Sequence, residues 1–149
     1  KLGIQLCLFI ACWIYYLVKS DTLSPNYSLL FLFPFLIIIM AGLGFGFGIL
    51  ISSLTTKYRD FTFLVGFGVQ LFMYASPIVY PLSIVPEKYK WIVLANPVSS
   101  VIETFKYIFL GEGLFSWVYL VYSFIFTIVI IIIGMLSFGR VEKSFMDTV

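Results

Sequence analysis

The sequence predicts an all-α membrane protein: four transmembrane helices, with a re-entrant or interfacial helical hairpin between the last two. Three observations carry this. Apolar residues fill 62% of the 149 positions and charged residues only 11%, against about 45–50% and about 25% in a soluble domain. Polar groups are therefore too few to cover a water-facing surface. Four apolar stretches approach or exceed the roughly 20 helical residues that cross a hydrocarbon core of about 30 Å. The segment between the last two is broken by Pro81, Pro86 and Pro97.

The first stretch, 2–18, is closed by Lys19, Ser20 and Asp21. Cys7 and Cys12 both lie in it, about 140° apart around a helix, so no disulfide joins them and they carry no information on redox compartment. The second stretch, 29–54, is long enough to tilt or kink. The third covers 61–79. The fourth, 114–138, centres on the run from Ile128 to Ile133. Such β-branched runs favour strands in water, but a lone strand in lipid leaves its backbone groups unpaired, so helix is expected.

The hairpin, 81–113, reads as two short helices. One runs from Pro86 to Ala95. The other runs from Pro97 to Leu110, with Asn96 as N-cap, proline in the first helical position and Gly111 as the stop. Val98, Val101, Ile102, Phe105 and Phe109 form its apolar face, and Ser99, Glu103, Lys106 and Tyr107 lie away from it. At about 14 residues it reaches only about 21 Å, too short to cross a bilayer.

Four spans put Lys1, Lys57, Arg59, Arg140 and Lys143 on one side and Lys19, Lys88, Lys90 and Lys106 on the other. Five against four, the positive-inside rule favours the first side as cytoplasmic. Tyr15, Tyr16, Tyr80, Trp91, Trp117 and Tyr119 cluster near span ends, as an interfacial belt does. The chain opens on Lys1, without the features of a signal peptide, and is expected to be the C-terminal part of a longer protein.

Composition also narrows the chemistry. There is no histidine and the net charge is only +2, so the commonest metal ligand and general base are absent and no nucleic-acid partner is expected. No GxxxxGK[ST] phosphate loop is present. No catalytic or metal-binding residue is expected.

Four features can carry function. Gly42, Gly44, Gly46 and Gly48 make two overlapping small-xxx-small pairs, suited to close helix packing and to a flexible or kinked region. Gln70 shares a helical face with Phe63, Phe67 and Tyr74. It suits an interhelical hydrogen bond, or an aromatic and amide stripe facing a translocation path in which rings stack on sugar C–H faces and amides bind hydroxyls. The turn Lys57, Tyr58, Arg59, Asp60 reads as a basic topogenic loop or as a contact transmitting motion from a cytoplasmic partner. Glu103 can pair with Lys106 at i, i+3, as an exposed helix pair or at a channel mouth.

The string Ser53 to Asp60 resembles the short cytoplasmic "RYRD" turn of type-2 ABC transporter permeases, and Ser76 to Pro86 resembles the segment after their following span. Asn96 and Pro97, then Ile102 and Glu103, then Leu110 and Gly111, look like that family's "NP…E…LG" hairpin. The ending Arg140 to Asp147 resembles its tail. The resemblance is to the permeases that export lipid-linked O-antigen, capsule or teichoic acid, and it runs over essentially the whole chain.

The resemblance implies a transport subunit of the cytoplasmic membrane, multi-pass, doing no covalent chemistry. Two permease copies would form a homodimer with two ABC ATPase subunits. ATP and magnesium would sit on the ATPase, with no cofactor in this chain. The four spans would be spans three to six of six. Phe63, Phe67, Gln70, Tyr74 and Tyr80 would line the path of a lipid-linked glycan. Pro86, Asn96, Pro97, Glu103 and Lys106 would belong to an external hairpin gate. Lys57, Tyr58, Arg59 and Asp60 are the candidates for cytoplasmic coupling, while the family's main ATPase-coupling helix would lie outside this chain. Alternatives are export of a drug or small lipid, a membrane enzyme acting on lipid-linked sugars, and a passive channel or structural subunit.

Overall fold

A computed structural model describes residues 2–19, 25–58, 60–78, 80 and 82–146, and within them all side chains but those of Leu2, Lys57, Ser83 and 143–146. All regular structure among these residues is helical. Helix α1 spans Leu2–Lys19. A 3-10 helix, Tyr27–Leu32, runs into α2, Phe33–Lys57. Helix α3 spans Phe61–Ala75. After a short 3-10 turn, Leu82–Ile84, come α4, Glu87–Ala95, and α5, Pro97–Leu110. Helix α6 spans Trp117–Met146.

Two apolar segments, Tyr27–Thr56 and Trp117–Glu142, have the length and composition to cross a membrane; α1 and α3 are shorter apolar helices. Local chemistry sets these bounds. Helix α3 stops at Ala75, short of the expected end at 79, because Ser76 precedes Pro77. Proline pushes the residue before it out of the α region and offers no N–H of its own. Ser76 accordingly sits at φ −98°, ψ 141°. Val79 and Pro81 lie outside the described residues. The fourth stretch becomes helical only at Trp117, and in the loop before it the Leu114 N–H donates to the Glu103 carboxylate. It then continues past 138 to Met146, so the ending is helical through Arg140 and Glu142.

Helices α2 and α6 run parallel and form the central pair. Phe35 meets Phe124 at 5.4 Å between ring centroids. A Cβ on Gly42 would lie 2.6 Å from Thr127 Cγ2, one on Gly46 would collide with Ile130 Cγ2, and one on Gly134 would lie 3.0 Å from the Gly46 carbonyl oxygen. Small residues there let two backbones approach closely. Gly44 and Gly48 have nothing within 4 Å of such a Cβ. One of the two overlapping glycine pairs is thus packed, the other faces outward, and α2 runs unbroken through both.

Helix α5 lies across the N-terminal halves of this pair. Leu32, Leu36, Ile39 and Leu43 join Val98, Val101, Ile108, Phe109 and Leu120 in the core. Helix α1 leans on α5 through Phe9 and Trp13, both edge-to-face on Phe109 at 5.1 and 5.3 Å. Helix α3 has no buried residue; it runs antiparallel along α2 and meets it at Phe47 and Phe72, 6.0 Å apart.

Candidate functional site

The site is built on α5. The first N–H groups and last carbonyls of any helix lack partners within it, and at both ends of α5 other parts of the chain supply them. At the N-terminus the Asn96 side chain accepts from the Val98 N–H at 3.0 Å. Its amide nitrogen donates to Ser76 Oγ at 2.9 Å, and Ser76 Oγ donates to the Phe72 carbonyl at 2.9 Å. At the C-terminus the Asn26 side chain donates to the Tyr107 carbonyl, the Asn26 N–H to Ile108 and Trp13 Nε1 to Phe109, at 3.4, 3.0 and 2.9 Å. Gly111 closes the helix in the left-handed region at φ 75°, where glycine carries no Cβ penalty.

Between α5 and α6 lies a buried hydroxyl ladder. Ser123 Oγ donates to the Pro97 carbonyl at 2.7 Å and lies 2.5 Å from Ser100 Oγ. Ser100 Oγ also reaches the Pro97 carbonyl, at 3.2 Å, and since a hydroxyl has one proton to give, either serine can be the donor between them. Thr104 and Thr127 each donate one turn back, to the carbonyls of Ser100 and Ser123, both at 2.7 Å. Ser99 Oγ is buried with no hydrogen-bond partner among the described residues.

Glu103 and Lys106 do pair, at 3.2 Å, but the exposed helix pair expected from the sequence is corrected: Glu103 is 2% exposed. Its other oxygen accepts the Leu114 N–H at 3.3 Å, and Lys106 Nζ also donates to the Pro77 carbonyl at 2.6 Å. The face holding Ser99 and Glu103 turns inward because a polar group in hydrocarbon seeks the protein interior, and the Ser76–Pro77 turn and the loop after α5 offer partners there. Gly113, at φ 130°, passes so close that a Cβ would lie 2.8 Å from the Glu103 carbonyl oxygen. Beside this cluster opens a cavity of about 730 Å³, with Tyr80, Lys90, Glu103, Lys106 and Glu112 in its wall.

The other sequence-predicted residues fall elsewhere. Phe63, Phe67, Gln70 and Tyr74 are all exposed on α3, Phe63 at 85%. Tyr80 is half-buried and joins the cavity near α5 rather than this stripe. Asn96, Pro97, Glu103 and Lys106 come together on α5, whereas Pro86 is exposed and only introduces α4, at φ −55°, ψ 141°. In the 57–60 turn, Tyr58 and Asp60 are exposed and the Tyr58 N–H closes α2 on the Leu54 carbonyl at 2.8 Å. Arg59 lies outside the described residues, as does the side chain of Lys57. Among the described residues no group of three or more histidine, cysteine or acidic side chains is placed to hold a metal. Sequence reasoning missed Trp13, Asn26 and the hydroxyl ladder. Its signal was Ser100/Thr104 and Ser123/Thr127, small polar residues at i, i+4 on otherwise apolar helices.

The sequence model of the ABC-2 type transporter family matches residues 2–110. An O-antigen export system permease protein, RfbA, of Klebsiella pneumoniae is 29% identical over 125 residues, which cover 84% of this chain and 48% of that protein. A second protein of the same name and organism is 28% identical over 99 residues, 66% of this chain and 38% of that protein. The chain spans about half the length, or less, of these curated relatives.

Proposed function

This chain belongs to the ABC-2 type transporter family, and from that premise we propose that it is the membrane-spanning permease part of an ATP-driven exporter of lipid-linked polysaccharide. The likeness to two permeases named for O-antigen export supports the substrate class. The observation that carries the reading is the state of α3. It is an apolar helix with no buried residue, yet it holds Gln70 on one face with Phe63, Phe67 and Tyr74. An amide in hydrocarbon calls for a partner or a wet cavity. On this reading the cavity is the export path: the rings stack on sugar C–H faces and Gln70 bonds hydroxyls.

In this scheme α1, α2 and α6 cross the cytoplasmic membrane, α3, at 15 residues too short to cross alone, completes the fourth span together with the buried Ser76–Pro77 turn that follows it, and α4 and α5 form a re-entrant hairpin on the external side. The protein donors at the C-terminal carbonyls of α5 support the re-entrant arrangement over an interfacial one, since a helix that ends inside hydrocarbon needs them. A second copy completes the path. The turn with Lys57, Tyr58, Arg59 and Asp60 meets an ABC ATPase subunit, which carries ATP and magnesium; this chain holds no cofactor and breaks no bond. Nucleotide binding and hydrolysis then shift α3 against the tightly packed α2–α6 pair.

The test is Gln70→Leu and Tyr74→Leu in the intact protein. Export is expected to fall in both, with unchanged protein in the membrane fraction. Normal export in both removes the path assignment.

A further inference from the structure

Helix α3 buries no residue along its length and meets α2 at Phe47 and Phe72, yet the turn that ends it is among the most deeply buried parts of the chain. Ser76 is 1% exposed and Pro77 is also fully buried. That turn is tied to α5 from two directions. On one side Asn96 donates to Ser76 Oγ, and Ser76 relays the bond to the Phe72 carbonyl in the last turn of α3. Because the Asn96 oxygen is engaged by the Val98 N–H, its nitrogen is left to face Ser76. On the other side Lys106 Nζ donates to the Pro77 carbonyl at 2.6 Å while the Glu103 carboxylate steadies it from below. A hydrogen bond from a charged donor is roughly twice as strong as a neutral one. The Pro77 carbonyl is available because the helix has stopped: the Ile78 N–H folds back on Ser76 instead, at 2.8 Å. Asn96, the N-cap of α5, and Lys106 stand ten residues apart, about 15 Å along a helix axis, so the turn is held from two points rather than pinned at one.

We propose that Asn96 and Lys106 are positioning residues that clamp the C-terminal end of α3 to α5, which is itself bonded to α6 through Ser100, Ser123 and Pro97, so that this end of the Phe63–Tyr74 stripe stays in register with the hairpin while the rest of α3 is left to shift. The consequence for export rests on the transport reading above; the clamp itself is a property of the chain and is tested without transport. The intact protein, with Cys7 and Cys12 replaced by serine, carries nitroxide labels at Leu71→Cys on α3 and Leu110→Cys on α5, both exposed, and is diluted with unlabelled protein. A second pair, Ile38→Cys and Val129→Cys, reports α2 against α6. The native protein gives one narrow α3–α5 distance distribution. In Asn96→Ala/Lys106→Met that distribution roughly doubles in width or splits in two, the α2–α6 pair stays narrow, and Lys106→Arg restores the single narrow peak. An unchanged α3–α5 distribution overturns the clamp. Broadening of both pairs overturns it as well, because the two residues would then hold the whole bundle and not α3. A clamp found in a protein that exports nothing leaves this inference standing and removes the export reading alone.

Discussion

Helices α3 and α5 are almost the same length, 15 and 14 residues, and they behave in opposite ways. Helix α3 has no charged side chain and buries nothing. Helix α5 carries an ion pair, two serines and a threonine, and nine of its residues are buried, Pro97, Ser99, Ser100, Glu103 and Thr104 among them. In water the ranking would run the other way. When the solvent is hydrocarbon, apolar surface gains nothing by turning inward, and packing of small residues together with hydrogen bonding decides what is inside. The contrast also separates two jobs: α5 is fixed at both ends and along its length, while α3 buries nothing and is tied to α5 through the turn that ends it.

The largest break in this contrast is expected from Glu103→Leu. It leaves Lys106 without its carboxylate and the Leu114 N–H without an acceptor at a site where the Glu103 side chain is 3% exposed. Breaking a buried pair costs about 3–5 kcal/mol, and Lys106, at 22% exposed, puts this case near the lower end. The temperature at which the detergent-solubilised intact protein aggregates should drop by many degrees, while Glu103→Gln, which keeps an acceptor, should drop far less. Equal behaviour of the two would mean that side-chain shape, not the pair, holds α5.

A middle-sized effect is expected at the other end of α5. Trp13→Phe keeps an aromatic ring against Phe109 but deletes the donor to the Phe109 carbonyl. A net hydrogen bond is worth about 0.5–1.5 kcal/mol, so the same assay should show a loss near 1 kcal/mol. No loss would mean that another donor reaches that carbonyl and that Trp13 serves only to pack.

The helices themselves were largely legible in the sequence, and for local reasons. Asn96, Pro97 and Gly111 mark both ends of α5 by backbone chemistry that needs no tertiary partner, and the structure shows each in that role. The α2–α6 contact was half legible. Four glycines announced close packing, but only the partner helix decides that Gly42 and Gly46 are used while Gly44 and Gly48 stay open. The burial of Glu103 was not legible. Its i, i+3 spacing to Lys106 is the same whether water or the Ser76–Pro77 turn covers it, and that turn lies 26 residues away in sequence. Trp13 and Asn26 were invisible for the same reason, since they serve carbonyls more than 80 positions distant.

The smallest effect on stability is expected on α3. Phe67 is 63% exposed, and a surface substitution away from any special feature usually stays within about 0.5 kcal/mol. Phe67→Leu should therefore leave the aggregation temperature almost unmoved. If the stripe is a wet path for sugar, the same variant should still lower export, because leucine offers no ring face to stack against. A stability loss as large as that of Trp13→Phe would point elsewhere. It would mean that in the intact assembly Phe67 is packed against another subunit or another part of the chain, and α3 would then be an interface helix whose apparent freedom ends on assembly.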